Sequence, residues 1–173
     1  MTLFRPATFL MVQYAHYHRD RRNIATHLVG IPLIFLAIGV FLLQPSWHID
    51  GHDVSLAWWA WAVTSVWYLT RGDLLLGLAT TLVNAALIAL AHQVPEWSAI
   101  WGLPVWQIGV ALFVIGWLFQ FVGHYLEGRK PAFVDDVVGL LVGPMFVVGE
   151  VLIAMGLLKK MRRDIERQAG PTH

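Results

Sequence analysis

The stretch that decides the fold is Tyr14–Pro32, YAHYHRDRRNIATHLVGIP, in which three histidines, an asparagine and a run of arginines lead straight into a long apolar segment. Polar, ligand-type side chains at the mouth of a membrane span are costly unless something occupies them. A second polar cluster near the other end of the chain, Gln120–Ala132 (QFVGHYLEGRKPA), reads as its partner. The expectation is that the two close over one metal at one face of a membrane.

Composition supports the membrane. The chain has 173 residues, 57% hydrophobic and only 13% charged, with a mean hydropathy of +0.60, well above an ordinary soluble domain. Its length suggests one domain, residues 1–173, with 1–23 as a cytoplasmic N-terminal segment and 159–173 as a cytoplasmic tail. A net charge of +1 offers no case for nucleic acid. Cysteine is absent, which removes disulfides, thiolate metal sites and cysteine catalysis. The charged Arg19–Arg22 run before a full-length span does not read as a cleavable signal.

A hydrocarbon core about 30 Å thick needs roughly 20 apolar residues as helix. Ile24–Leu43 meets this. Val54–Thr70, rich in tryptophan, is the second span and Leu74–Ala91 the third, joined by a turn at Arg71-Gly72-Asp73. His92–Gly102 reads as a loop with interfacial aromatics. Pro104 opens the fourth span, Val105–Tyr125. The predicted class is therefore an all-α polytopic membrane protein with four transmembrane helices plus a broken or re-entrant fifth apolar segment.

That fifth segment, Val134–Leu158, carries Asp135, Asp136, a Gly143-Pro144 break and Glu150. Lysine and arginine lie before span one, between spans two and three, after span four and in the tail. Positive-inside bias then favours a segment that dips in and returns, bending at Gly143-Pro144, with both termini cytoplasmic. A fifth full span with an exported tail is the competing reading. On either topology His16, His18, His27 and His124 share one mouth, while His48, His52 and His92 lie at the opposite face.

Asn23 and His27 are spaced i, i+4 and share a helix face, as do His16 and Asn23. In one unbroken helix His18 would point away from His27, so His18 joins only if the backbone breaks near Arg19–Arg22; otherwise His16 takes its place. Gln120, His124 and Glu127 share a face of span four, and Gly123 permits close helix approach. Imidazoles with carboxylates and no thiolate suit Fe(II), Mn or Zn, and a pair of histidines plus a carboxylate suits non-haem iron. A lone histidine at a span end is more often an interfacial hydrogen-bonding residue. It is the gathering of four beside carboxylates that points to a site. Asn23, Gln120, Asp135 and Glu150 are expected to orient ligands from behind.

These residues carry a resemblance. His18-x4-Asn23-x3-His27-x2-Gly30-x-Pro32 and Gln120-x2-Gly123-His124-x2-Glu127-x3-Pro131-Ala132, with Gly143-Pro144 and Glu150 as a weaker third match, resemble the membrane-bound 2-hydroxy fatty acid dioxygenases of fatty-acid α-oxidation. That family is named for converting phytosphingosine to odd-numbered fatty acids. The resemblance implies an Fe(II)-dependent enzyme that uses O2 to shorten a 2-hydroxy fatty acid by one carbon, with His18, His27 and His124 as the essential histidines. His16 remains a further candidate ligand and Glu127 a catalytic candidate. Arg129 and Lys130 are placed to steady the substrate carboxylate. The expected partners are the acid, O2 and membrane lipid, with Gly-rich spans that would allow self-association. The membrane would be a bacterial inner membrane or an endoplasmic reticulum.

Other classes fit parts of the pattern. A haem protein of electron transfer would use His27 and His124 as axial ligands. A di-iron hydroxylase would pair an H-x3-H box with an H-x2-H-H box, and no H-x2-H-H box occurs. A transporter or a non-catalytic scaffold would account for the intramembrane carboxylates, but no inverted repeat supports it.

Overall fold

The computed structural model describes residues 3–129 and 138–173. The described elements run α1 (Ala7–Ala15), α2 (Arg21–Phe41), β1 (Ser46–Ile49), β2 (His52–Ser55), α3 (Leu56–Leu69), α4 (Leu74–Ala91), α5 (Val94–Trp101), α6 (Val105–Glu127), α7 (Val138–Ala154) and α8 (Lys159–Ala169). Three helical stretches among the described residues are long and apolar enough to cross a membrane: Arg21–Phe41, Leu74–Trp101 and Val105–Glu127. The α7–α8 pair, bent by 112°, makes a fourth if counted as one span.

Local chemistry explains where these helices start. Asp20 caps α2 by accepting the Arg22 backbone N–H at 2.8 Å, and Asp73 caps α4 by accepting from Leu76 N at 3.0 Å. Each carboxylate satisfies a donor that a helix start leaves unpaired. α6 stops at Gly128, which takes the left-handed conformation (φ 69°) that lets the chain turn.

The spine of the fold is the packing of α2 against α6. Gly109, Gly116 and Gly123 recur every seven residues, close to two helical turns, so they line one stripe of α6. A Cβ at Gly116 would lie 2.7 Å from Ile34 Cγ1 and 2.8 Å from the Gly30 carbonyl, and one at Gly109 2.7 Å from the Phe41 ring. One at Gly123 would run into Thr26 and Asn23. Small residues let two backbones approach in this way where lipid supplies no hydrophobic drive.

Several expectations are corrected. The class is not purely helical: β1 and β2 form an antiparallel hairpin, with Ser46 opposite Ser55, between α2 and α3. The second predicted span is a 14-residue helix, α3, about 21 Å long at the helical rise and short of the hydrocarbon core. The loop predicted over His92–Gly102 contains α5, with Pro95 in its first turn. In the fifth segment the helix runs through Gly143-Pro144 unbroken, and the bend falls between α7 and α8, where Gly156 has φ 79°. The N-terminal segment contributes a helix to the core. Leu10 and Met11 of α1 are buried with Leu76, Met145 and Phe146 in the main hydrophobic cluster.

Adding a methyl group to the α2–α6 seam should therefore destabilise the whole protein. Gly116→Ala is expected to cost about 1–3 kcal/mol, the range for overpacking, and to lower the thermal midpoint in detergent. Val63→Ala, on the 71% exposed side chain of α3, should leave it almost unchanged.

Candidate metal centre

His18 sits in the link between α1 and α2, His27 two turns into α2, and His124 near the end of α6. All three are buried, and their candidate ligand nitrogens lie within 4.8 Å of one another. Ring centroids are 4.4 Å apart for His18–His27 and 4.9 Å for each pair with His124. The chain breaks its helix between Ala15 and Arg21, and that break swings His18 round to face His27. The broken-backbone alternative is the observed one.

The protonation of two rings follows from their partners. His18 Nδ1 is 2.7 Å from the Tyr14 carbonyl and His27 Nδ1 is 2.9 Å from the Asn23 carbonyl. A carbonyl oxygen can only accept, so both Nδ1 atoms carry the hydrogen. In neutral rings both Nε2 atoms are then bare lone pairs, and they face each other at 3.0 Å. Burial, then the nearby His27, pushes the His18 pKa well below the usual imidazole value, so a charged ring does not resolve the conflict. His124 Nδ1, also buried, has no hydrogen-bond partner among the described residues. Facing lone pairs at this distance repel unless a cation lies among them. The donor set fits a metal of the borderline class, and the Nδ1–carbonyl bonds are the outer contacts that fix ligating imidazoles.

Tyr14 holds His18 from one side, with rings stacked at 4.2 Å and 2°, and Phe146 of α7 lies 5.1 Å from the His18 ring centroid. A small cavity of about 40 Å³ opens beside His124, lined also by Tyr14, Gln120 and Gly143. Gln120 is 5% exposed and its Nε2 has no partner among the described residues.

Other expected site residues fall elsewhere. Glu127, a catalytic candidate, instead holds the turn that carries His18. Its Oε1 accepts from Arg19 N at 2.9 Å, and its Oε2 accepts from Asp20 N at 2.8 Å and from Asn23 Nδ2 at 2.9 Å. Asn23 Nδ2 also donates to the Tyr17 carbonyl at 3.1 Å, and the Asn23 backbone carbonyl is the partner of His27 Nδ1. His16 stands outside the trio, at the end of α1, with its carbonyl accepting from Arg129. Glu150 pairs with the Arg19 guanidinium at 3.5 Å rather than with a histidine. Lys130, Asp135 and Asp136 lie outside the described residues. At the far end, His48 bonds Asp53 at 3.0 Å and His92 bonds Ser55 at 3.1 Å, while His52 sits on β2.

Sequence reasoning missed Tyr14, Arg19 and the tail. The C-terminal residues fold back on the turn: His173 N donates to the Arg19 carbonyl and Arg21 N to the His173 carbonyl, each at 3.0 Å. Arg19 Nη1 reaches the Gly170 carbonyl at 3.3 Å. The signal for Tyr14 was its spacing four residues before His18; contacts of the tail leave no such trace.

Residues 4–155 match the family described as Mpo1-like, 2-hydroxy-palmitic acid dioxygenase Mpo1-like. The chain belongs to the Mpo1-like family. It is 30% identical over 159 residues to the 2-hydroxy-palmitic acid dioxygenase MPO1 of Saccharomyces cerevisiae (strain ATCC 204508 / S288c), covering 88% of this chain and 83% of the yeast protein. No solved structure matches it. The matched region of this Mpo1-like chain includes all three clustered histidines, along with Glu127 and Glu150.

Glu127→Ala would strand the Arg19 and Asp20 amides and the Asn23 carboxamide. Each buried donor left unmet costs about 1–3 kcal/mol. The variant should melt earlier and show faster amide exchange at residues 19–23, with little change at the hairpin.

Proposed function

We propose that this chain is a non-haem Fe(II) dioxygenase that removes one carbon from a 2-hydroxy fatty acid, acting at His18, His27 and His124 on the cytoplasmic side of a membrane. The observation that carries the reading is the pair of bare Nε2 lone pairs at 3.0 Å beside a third buried imidazole, in a chain whose relative bears the name 2-hydroxy-palmitic acid dioxygenase. The reaction balances as 2-hydroxy acid plus O2 giving the acid one carbon shorter, CO2 and water. The C1–C2 bond breaks, C1 leaves as CO2, C2 is oxidised from alcohol to carboxyl, and O2 accepts the electrons.

An iron held by the three imidazoles would supply the redox chemistry that lets O2 react with such an acid, and three protein ligands leave part of its coordination sphere to other groups. The chain's own residues do the rest. Hydrogen bonds from Nδ1 to backbone carbonyls hold His18 and His27 in the tautomer with Nε2 free. Tyr14 and Phe146 fix the His18 ring and keep water from it. Glu127 and Asn23 hold the turn. Gln120 offers an unspent amide beside His124, suited to the acid's carboxylate or hydroxyl oxygens. Arg129, whose backbone N–H bonds the His124 carbonyl at 3.3 Å, brings positive charge to the entrance.

Sidedness rests on the basic residues. Ala7 N bonds the Arg71 carbonyl, Glu127 meets Arg19, and Arg21 meets the tail at His173. Arg5, Arg19, Arg21, Arg22, Arg71, Arg129 and the basic tail thus gather at the histidine end, the pattern of a cytoplasmic face. On this reading the segment ending in α7 and α8 enters the membrane and returns. The haem alternative finds less room: the His27 and His124 rings meet edge to face with centroids 4.9 Å apart, which leaves no slot for a macrocycle between them.

Metal analysis after anaerobic loading with Fe(II) should find about one iron per chain, falling to near zero in His27→Ala and in His124→Ala, with loss of the shortened acid under O2. Unchanged iron in both variants would overturn the site. Iron lost with no shortened acid from the parent protein would overturn the substrate class. A reporter fused after His173 should read cytoplasmic, and one inserted at Asp50-Gly51 external; the same side for both would overturn the topology.

A further inference from the structure

Beyond the histidines lies a larger apolar cavity of about 410 Å³, walled by α2, α3, α4, α6 and α7. Its volume falls within the range of small-molecule sites, roughly 300–1,000 Å³. The small cavity beside His124 shares four of its lining residues, Ile34, Phe35, Trp117 and Leu140. The two therefore adjoin, with those four side chains between the polar cluster and the apolar interior.

We propose that this chamber holds the substrate's hydrocarbon tail and that Ala57, Ala60 and Ile88 set the chain length the enzyme accepts. The inference rests on the dioxygenase reading for its substrate class. Three observations support it.

The first is chemistry. Thr64 is one of the few polar residues on the walls, and its hydroxyl is already spent on the carbonyls of Ala60 and Trp61 at 2.9 and 3.1 Å. Asn84 faces Tyr68, whose phenol it engages. The chamber thus offers a head group little and a polymethylene chain much.

The second is depth. The chamber reaches Leu42 at the end of α2, where Ala57 N bonds the Leu42 carbonyl at 2.8 Å. From His27 to Leu42 the helical rise gives about 22 Å. One leaflet's hydrocarbon, the room a long acyl chain fills in a bilayer, is about 15 Å, half of the core. With its head group at the histidines, a tail of that length would end about ten residues along α2, level with Ile38, inside the chamber and short of Leu42.

The third is the cause of the hollow. Ala57, Ala60, Trp61 and Thr64 share one face of α3 at i, i+3, i+4 and i+7, and all four line the chamber. Three of the four are small, opposite Gly39 of α2 and Ile88 of α4, so no side chain bridges the gap. A helix facing a packed core would place large residues there. Size at these positions decides how far a tail can extend.

The test measures equilibrium binding of 2-hydroxy acids of graded length to detergent-solubilised protein without added metal, and separately the length profile of turnover by the iron-loaded protein. Ala60→Phe should move both profiles toward shorter acids, with affinity for the longest falling by about fourfold per excluded methylene. Ile88→Ala should move them toward longer ones. Ala60→Phe and Ile88→Ala act in opposite directions, so a general loss of folding cannot mimic both. Unshifted binding in both variants, with the fold intact by thermal melting, would overturn the proposal. So would a phospholipid retained in native mass spectra that no 2-hydroxy acid displaces. Shifted binding without any turnover by the parent protein would leave the chamber standing and overturn the dioxygenase reading instead.

Discussion

The close approach of α2 and α6 is the constraint on which the site depends. Gly123 immediately precedes His124, and a Cβ there would also lie 3.2 Å from His27 Nδ1. The backbone of α6 therefore has to lie almost against the side chains of α2 for His124 to reach the cluster. Gly30 makes the reciprocal concession, since a Cβ on it would meet the Gln120 amide and the Gly116 carbonyl. In lipid such seams are held by packing and by the polar groups they bury rather than by a hydrophobic drive.

Onto this pair the chain closes a turn from one end and a tail from the other. His18 belongs to neither helix of the seam, so it needs its own fixings. These are the stacked Tyr14 ring, the Tyr14 carbonyl and the Glu127 carboxylate on the backbone amides that follow it. The Arg22 guanidinium holds the capping Asp20 carboxyl down to about 2, so the cap stays ionised throughout the physiological range. Arg19, 6% exposed, spends its guanidinium on Glu150, on carbonyls of the turn and on the tail. A buried cation with several partners is a structural tie, because losing any partner leaves charge unmatched in a medium of low polarity.

Much of the site was legible because it is written in local spacing. Asn23 and His27 are a helical turn apart, Gly123 adjoins His124, and the arginines mark the face. What escaped had its cause in residues far away in sequence. Glu127 reads as a catalytic carboxylate from the standpoint of α6 alone, and its partners on the turn lie more than a hundred residues earlier, at a separation of 108 for Arg19. The Ala7–Ala15 helix is too short to read as a span, and only the α7 and α8 surfaces it meets reveal it as core. Gly143-Pro144 reads as a break, yet the helix continues through it. A proline in a buried apolar helix forfeits one backbone bond, and packing such as that of Gly143 against Ile31 and Tyr14 offsets the loss. The α3 span was overestimated because hydropathy does not register where a hairpin ends and a helix begins.

The central claim is that imidazoles from both ends of the chain hold a single iron. X-ray absorption at the iron edge, on anaerobically loaded protein, addresses it directly. The account predicts outer-shell scattering from three imidazole rings and none from sulfur, with one ring fewer in any His124→Ala protein that retains iron. A first shell of oxygen alone, or a ring count unchanged when His124 is removed, would contradict it.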